Sequence, residues 1–548
     1  MQVTKEEEGL INYEWHPAGN MIAYSRPDPE TKKAKVTKDK LGSFAVEGEP
    51  TRYNHLWLLR FNYDSLFLSK LEKPSRLTDG DFTVAGFEWN RGGNQIAFNK
   101  LKDQQIESTF TADIMVIDIN TRNYDATIEN PSGDFFGAWS PDGTAFAYIS
   151  RLDNTSAVRT SNNLLFIYNL KSKSSLKVAS EIDESLTITD WNNQGLFVIA
   201  QQKTRQKLYK VDIKTGRLSN IPIALDLIEN LSFSTNSENI AVSGRIHDQL
   251  NEVYLWKINQ PLKKITQSSQ QISGWNTPVN EIISWKSADQ TTIEGILIKP
   301  RNYDPSKKYP LLLMLHGGPR GADFPEPIPG LSLSIYPIFQ WVEKGAIVLR
   351  INFRGSSGYG ERFRSLSIGK VGISETLDVL SGIEYLSGKG IIDTSRMGVM
   401  GWSWGGYLSA YLLTHTTVFK AISVGAGITD WIHYYTNTDI TSFTREYLQG
   451  VPWKNMSIYL KTAPMSAISN ASAPTLIQHG ELDKRVPIGN AYELYRGLQD
   501  LGVPSKMIVY KGFGHVVNKP KEQLALLWHN WQWFNKYIFD EDEILPIE

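Results

Sequence analysis

Short apolar runs separated by polar turns fill the first half of the chain. Runs of this length read as strands rather than helices. They also repeat. Trp15-His16-Pro17-Ala18-Gly19-Asn20-Met21-Ile22-Ala23-Tyr24 shares its register with Trp139-Ser140-Pro141-Asp142-Gly143-Thr144-Ala145-Phe146-Ala147-Tyr148. Looser copies begin at Trp89, Trp191 and Phe233. Each unit predicts a strand, a polar turn and a second strand. A third follows in each: His55–Leu59, Ile114–Ile117, Leu164–Tyr168, Leu208–Val211 and Val253–Trp256. Polar turns such as Asn120-Thr121-Arg122-Asn123 come next. The spacings Trp89 to Trp139, Trp139 to Trp191 and Trp191 to Phe233 are 50, 52 and 42 residues. A period of about 40–50 residues with several strands per unit is the pattern of propeller blades. Five units predict an all-β propeller of about five blades over residues 1–272. Its first unit is stretched by a charged insertion, Asp28 to Glu49, expected to loop out. An irregular β-sandwich is the competing reading. The recurring aromatic, turn and Ala-Tyr register argues against it.

Near Trp275 the pattern changes. Glu281–Trp285 and Ile293–Ile298 predict a hairpin. Tyr309–Leu315 and Ala346–Ile351 are apolar and strand-length, and helical periodicity covers Glu375–Ser387 and Ile488–Leu501. Strands alternating with helices predict an α/β domain over residues 273–548.

Composition narrows the function classes. The 548 residues suit two or three domains. A formal net charge of −1 gives no reason to expect a nucleic acid or an anionic membrane as partner. The chain has no cysteine, which excludes disulfides, thiolate nucleophiles and cysteine metal sites. That fits a reducing compartment, and the expected location is cytoplasmic. The start, Met1-Gln2-Val3-Thr4-Lys5-Glu6-Glu7-Glu8, is too polar for a signal peptide, and no apolar run is long enough for a membrane helix. No cofactor or metal is expected.

The chemistry centres on Gly401-Trp402-Ser403-Trp404-Gly405, a G-x-S-x-G pattern. The apolar run Arg396–Met400 precedes it, and Gly406–Leu413 reads as a helix start. A strand turning sharply into a helix lifts a serine hydroxyl clear of a sheet, and glycines on either side permit the close approach. A serine hydroxyl needs a base, and the base needs an orienting acid. In hydrolases of this sheet type the chain order is Ser, acid, His. Asp483 ends the strand-and-loop Thr475–Asp483, and His515 follows the strand Met507–Tyr510. His479, His316 and His529 compete as base; the first two abut apolar strands and the third lies in an apolar helical stretch. His316-Gly317-Gly318-Pro319 follows a strand as oxyanion loops do, which assigns the Gly318 and Trp404 N–H groups as oxyanion donors.

Taken together, these stretches resemble the prolyl oligopeptidase family of serine peptidases, in particular its acylaminoacyl-peptidase and dipeptidyl-peptidase branch. The matching segments are His316–Pro319, Asn352–Gly360, Gly401–Tyr407, His479–Pro487 and Gly512–His515. The resemblance implies an α/β-hydrolase fold with Ser403 as nucleophile, His515 as base and Asp483 as orienter. It implies that the propeller caps the site and admits short peptides. It places Arg485 toward the substrate backbone, with local pairing of that arginine as the alternative. It also places Trp431 and Tyr434 at the wall of the pocket for the residue before the scissile bond, with core packing as the alternative. Five repeats are fewer than the seven or eight blades usual in the family. The paired glutamates that hold a free amino terminus in dipeptidyl peptidases are not located, and Glu6-Glu7-Glu8 reads as a solvated tail.

The resulting expectation is a serine peptidase acting on short peptides through an acyl-enzyme. An esterase or acyltransferase of the same fold, acting on an acylated small molecule, is the first alternative. A catalytically inactive propeller binding protein is the second. Self-association into a homo-oligomer is compatible with each.

Overall fold

Every sequence repeat closes into a four-stranded antiparallel sheet whose strands follow chain order. The structure, a computed structural model, describes residues 6, 8–49, 52–61, 73–152, 159–328 and 335–542. Among these are five such sheets, opened by strands Asn12–Trp15, Thr83–Trp89, Asp134–Trp139, Leu186–Asn192 and Leu227–Phe233. They form the N-terminal propeller. Four repeats share an alanine on the second strand; Ala23, Ala97 and Ala147 are fully buried there and Ala241 is exposed. A larger side chain at the three buried positions would push neighbouring sheets apart. The tryptophan that opens a repeat ties its sheet to the one before. Trp89 Nε1 donates to Glu14 O, and Trp139 Nε1 donates to Glu88 O. Trp15 has no earlier sheet to reach and is 54% exposed.

Three details differ from the sequence expectation. Each sheet has a fourth strand where only polar turns are predicted. These outer strands are short and largely exposed, as in Ser75–Arg76 and Lys263–Lys264, so they lack the apolar alternation that marks a strand. The Asp28–Glu49 insertion holds a helix, Lys32–Leu41, capped by Thr31 Oγ1 accepting from Ala34 N. That helix buries none of its residues, so no apolar stripe announces it. Glu6 is not a solvated tail residue: it accepts the Tyr24 hydroxyl at 2.6 Å and pairs with Arg26 at 3.2 Å. Glu7 lies outside the described residues.

The second half builds one eight-stranded sheet. In spatial order its strands are Val279–Lys286, Thr292–Lys299, Ile347–Asn352, Tyr309–Leu315, Ile392–Trp402, Ala421–Gly425, Thr475–Gly480 and Ser505–Tyr510. The predicted hairpin supplies the first two, antiparallel; the remaining six run parallel to one another. All seven residues of Tyr309–Leu315 are buried, as expected of a strand covered by helices on both faces. Ile373–Gly388 and Trp404–His415 pack on one face and Pro520–Ile538 on the other. This is the α/β-hydrolase sheet. Among the described residues, no helix is long and apolar enough to cross a membrane.

Glycines and charges join the halves. Gly358 and Gly360 have φ of +95° and +89°. A β-carbon on Gly358 would sit 2.7 Å from Lys203 O, and one on Gly360 would sit 2.5 Å from Asp183 Oδ2. The glycine-rich stretch after Asn352 is therefore a propeller contact. Next to it the fully buried Arg364 pairs with Glu184 at 3.0 Å and donates to Thr160 O at 2.9 Å. Deleting one member of such a buried pair costs on the order of 3–5 kcal/mol, because the other is left uncompensated.

One buried carboxyl gives a stability signature. Glu375 is fully buried, and burial pushes it up to about 8 despite a hydrogen bond from Ser374. A folded value above the unfolded one makes the group stabilising while protonated. That contribution is complete below about pH 4.5 and is lost as pH rises toward 8. Glu375→Gln is therefore expected to gain stability relative to wild type at pH 8.5 over pH 5, by more than about 1 kcal/mol. Thermal unfolding of both proteins at both pH values checks this. An identical difference at the two pH values would contradict it.

Candidate active site

The strand Ile392–Trp402 ends at Ser403, and the helix Trp404–His415 begins one residue later. Ser403 sits at φ 62°, ψ −117°, a backbone state that costs a non-glycine residue roughly 1–3 kcal/mol. Surrounding contacts hold it there. Ser403 N donates to Gly425 O at 2.9 Å, and Ser403 O accepts from Tyr407 N at 2.9 Å. The flanking glycines are required by close approach. A β-carbon on Gly405 would lie 1.9 Å from Leu315 O, and one on Gly401 would lie 2.3 Å from the Gly405 carbonyl carbon.

Parallel strands bring three distant loops to one sheet edge. His515 Nε2 lies 2.9 Å from Ser403 Oγ, and His515 Nδ1 lies 2.7 Å from Asp483 Oδ2. Asp483 Oδ1 accepts the backbone N–H groups of Arg485 and Val486 at 2.9 and 3.0 Å. A carboxylate facing an imidazole nitrogen places the proton on Nδ1. His515 Nε2 is then free to accept the Ser403 hydroxyl proton. Burial pushes the Asp483 carboxyl up, but hydrogen bonds from His479 and His515 outweigh it and hold it well below the usual carboxylate range. Trp402 Nε1 donates to His515 O at 3.0 Å and steadies the histidine loop.

The other histidines have other partners. His479 is buried, with Nε2 2.7 Å from Val486 O and 3.3 Å from Asp483 Oδ2. It buttresses the acid rather than facing the serine. His316 bonds Ser356 Oγ at 2.8 Å and stacks on Phe353. His529 lies in the helix Pro520–Ile538, where burial pushes it down to about 4.

A cavity of about 390 Å³ opens beside the hydroxyl, lined by Ser403, His515, Gly318, Trp404, Tyr434 and Arg485 among others. That volume suits a small-molecule or short-peptide ligand. Trp404 is the first residue of its helix, so its N–H has no partner within the helix. Gly318 adopts φ +50° with open space around its α-carbon. Gly317 packs behind it; a β-carbon there would lie 3.4 Å from Ser403 Cβ. Arg485 reaches the cavity but is held by Asp439, at 2.8 and 3.3 Å. The structure does not bring Trp431 to the wall. It lies one layer back, fully buried, with Nε1 donating to Thr462 O and its ring against Trp404 and Tyr434. Buried aromatic neighbours fill the space between it and the cavity, which is why its sequence position alone is misleading.

Sequence reasoning missed much of the lining. Phe443 and Tyr447 come from one face of the helix Thr441–Tyr447, and their spacing of four residues was the available signal. Arg320 follows the His-Gly-Gly-Pro segment directly. Phe110, Arg151 and Arg159 come from the propeller, where no local pattern marks them.

The chain is also similar to known proteins. Residues 333–541 match the model of the prolyl oligopeptidase family. Dipeptidyl-peptidase 5 of Porphyromonas gingivalis is 24% identical over 475 residues, covering 83% of this chain and 67% of that protein. The chain spans about half to two thirds of the length of the curated relatives it matches. Among solved structures, an acylaminoacyl peptidase of Pyrococcus horikoshii superposes with a TM-score of 0.70 at 19% identity, over 98% of this chain and 90% of that one. A puromycin-hydrolyzing peptidase of Mycobacterium tuberculosis superposes with a TM-score of 0.73 at 16% identity, covering 98% and 80%.

Proposed function

We propose, from a chain whose C-terminal domain belongs to the prolyl oligopeptidase family, that this protein is a serine peptidase cleaving short peptides through an acyl-enzyme. The observation that carries the reading is the continuous Ser403, His515, Asp483 hydrogen-bond chain at 2.9 and 2.7 Å. In this reading Ser403 Oγ attacks the scissile carbonyl as His515 Nε2 takes its proton. His515 then returns the proton to the leaving amine, and a water molecule repeats the sequence to release the acid. Asp483 holds the imidazole tautomer. The N–H groups of Gly318 and Trp404 receive the developing oxyanion, each worth about 3 kcal/mol of transition-state stabilisation. Tyr434 forms part of the apolar wall, and Arg485, already anchored by Asp439, faces the substrate. The division assigned is a lid over residues 1–272 and a catalytic domain over 273–548. The absence of cysteine favours a cytoplasmic setting.

The aligned relatives include dipeptidyl peptidases. Among the described residues no Asp or Glu lines the cavity, so no carboxylate is in place there to receive a substrate ammonium. Release of dipeptides from a free amino terminus is not the favoured activity.

A fluorophosphonate probe should label the wild-type protein at Ser403, and labelling should be blocked by a cleaved peptide. Turnover of an aryl ester, an aminoacyl anilide and an acyl-aminoacyl anilide is then compared. Anilide cleavage is the expected result. Turnover of the ester alone would move the assignment to an esterase or acyltransferase, and no labelling and no turnover by folded protein would leave a binding protein.

A further inference from the structure

Two guanidinium groups in the reaction cavity have nothing to hold. Arg151 follows the propeller strand Ala145–Ser150, and Arg320 follows Pro319 in the glycine loop. Both line the cavity that contains Ser403 and His515. Among the described residues, neither side chain has a hydrogen bond or an ion pair, and Arg151 Nε is buried without a partner. The other two cavity arginines are occupied. Arg159 lies over the Phe110 ring at 4.1 Å and donates to Ser442 Oγ at 3.0 Å, while Arg485 is held by Asp439.

The carboxylate that both free arginines sense is Glu446, and its oxygens are taken up elsewhere. They accept the Arg159 N–H at 2.7 and 3.0 Å and the Thr160 N–H at 3.1 Å. Burial lowers the pKa of both arginines, and their neighbouring cations lower it further. Two partly desolvated cations lining one cavity, neither with a bonded counter-ion among the described residues, are costly unless an anion joins them. Planar guanidinium forks match a carboxylate in shape and charge.

Resting on the peptidase reading above, we propose that Arg151 and Arg320 jointly bind a carboxylate of the substrate, making the enzyme selective for acid-bearing peptides. Trp404, Tyr434, Phe443 and Tyr447 supply an apolar wall for a neighbouring side chain. The carboxylate has two sources, the C-terminal α-carboxylate of a short peptide or an acidic side chain. One site on each domain then explains why the propeller matters to selectivity: it delivers half of the anion clamp.

The test uses one N-acetylated phenylalanine-containing peptide in three forms: a free C-terminal acid with glutamine, a C-terminal amide with glutamine, and a C-terminal amide with glutamate. Wild-type kcat/KM is expected to favour one acidic form over the neutral amide by about 10- to 100-fold. Preference for the free acid assigns the α-carboxylate; preference for the glutamate amide assigns the side chain. In Arg151→Met and in Arg320→Met the acid-to-neutral ratio is expected to fall at least tenfold. Equal cleavage of all three forms by wild type overturns the carboxylate site while leaving the peptidase reading standing. Failure to cleave any form, with no fluorophosphonate labelling, overturns both. The wild-type comparison decides even where a variant fails to fold, and a ratio unchanged in both folded variants removes the two arginines from the proposal.

Discussion

Ser403→Ala is expected to lower kcat by roughly a millionfold, with loss of fluorophosphonate labelling and an unchanged fold. The size follows from what the hydroxyl does in the proposed reaction. It supplies the atom that becomes acylated, and no cysteine is available as a substitute nucleophile. Without it His515 and the oxyanion donors can act only on a bound water molecule, a much smaller acceleration. Stability should change little. Among the described residues the Ser403 side chain has one hydrogen-bond partner, His515 Nε2, and alanine meets the φ of 62° under the same steric terms as serine. Steady-state hydrolysis, labelling and thermal unfolding check the three parts. A variant within tenfold of wild type would remove Ser403 from the reaction.

Asp483→Asn is expected to lower kcat by about ten-thousandfold. The backbone dictates why. Asp483 Oδ1 accepts from the N–H groups of Arg485 and Val486, so an asparagine must place its carbonyl oxygen there. Its NH₂ then points at His515 Nδ1, where the carboxylate oxygen had been. A donor facing Nδ1 forces the imidazole proton onto Nε2, which turns a proton acceptor at Ser403 into a donor. The same NH₂ also meets His479 Nε2, whose proton is held toward Val486 O, so some stability should be lost as well. The native carboxyl is held ionised well below the usual range by those histidine hydrogen bonds. Protonation of Asp483 therefore should not limit activity between about pH 5 and pH 9. Retention of at least a tenth of wild-type kcat in the variant would reject the orienting role.

The two halves of the molecule were legible to different depths. In the propeller the strand, turn, strand register survived because each repeat must bury the same face. In three repeats the buried alanine at Ala23, Ala97 and Ala147, with the inter-sheet reach of Trp89 and Trp139, accounts for it. Exposed outer strands and the lysine-rich helix Lys32–Leu41 bury almost nothing, so hydrophobic patterning cannot report them. In the sheet domain, buried parallel strands such as Tyr309–Leu315 appear as continuous apolar runs, and their order along the chain limits where loops can meet.

Local chemistry and chain order were enough to nominate Ser403, Asp483, His515 and the Gly318 loop, because the elbow, its flanking glycines and the loops at strand ends leave residue-level marks. What lines the cavity was decided by tertiary structure. Trp431 and Tyr434 lie on the same short helix, yet only Tyr434 reaches the cavity, since helix rotation and aromatic packing select the face. Arg485 is legible as a residue near the acid; its anchor, Asp439, lies 46 positions away. Arg151 and Arg159 share the cavity of Ser403 because the propeller docks over the sheet through Arg364 and the glycines at 358 and 360. Sequence determines which groups can react, since reactivity depends on residue type and nearby backbone. It does not display which distant side chains will share one desolvated space, and that sharing is what sets selectivity.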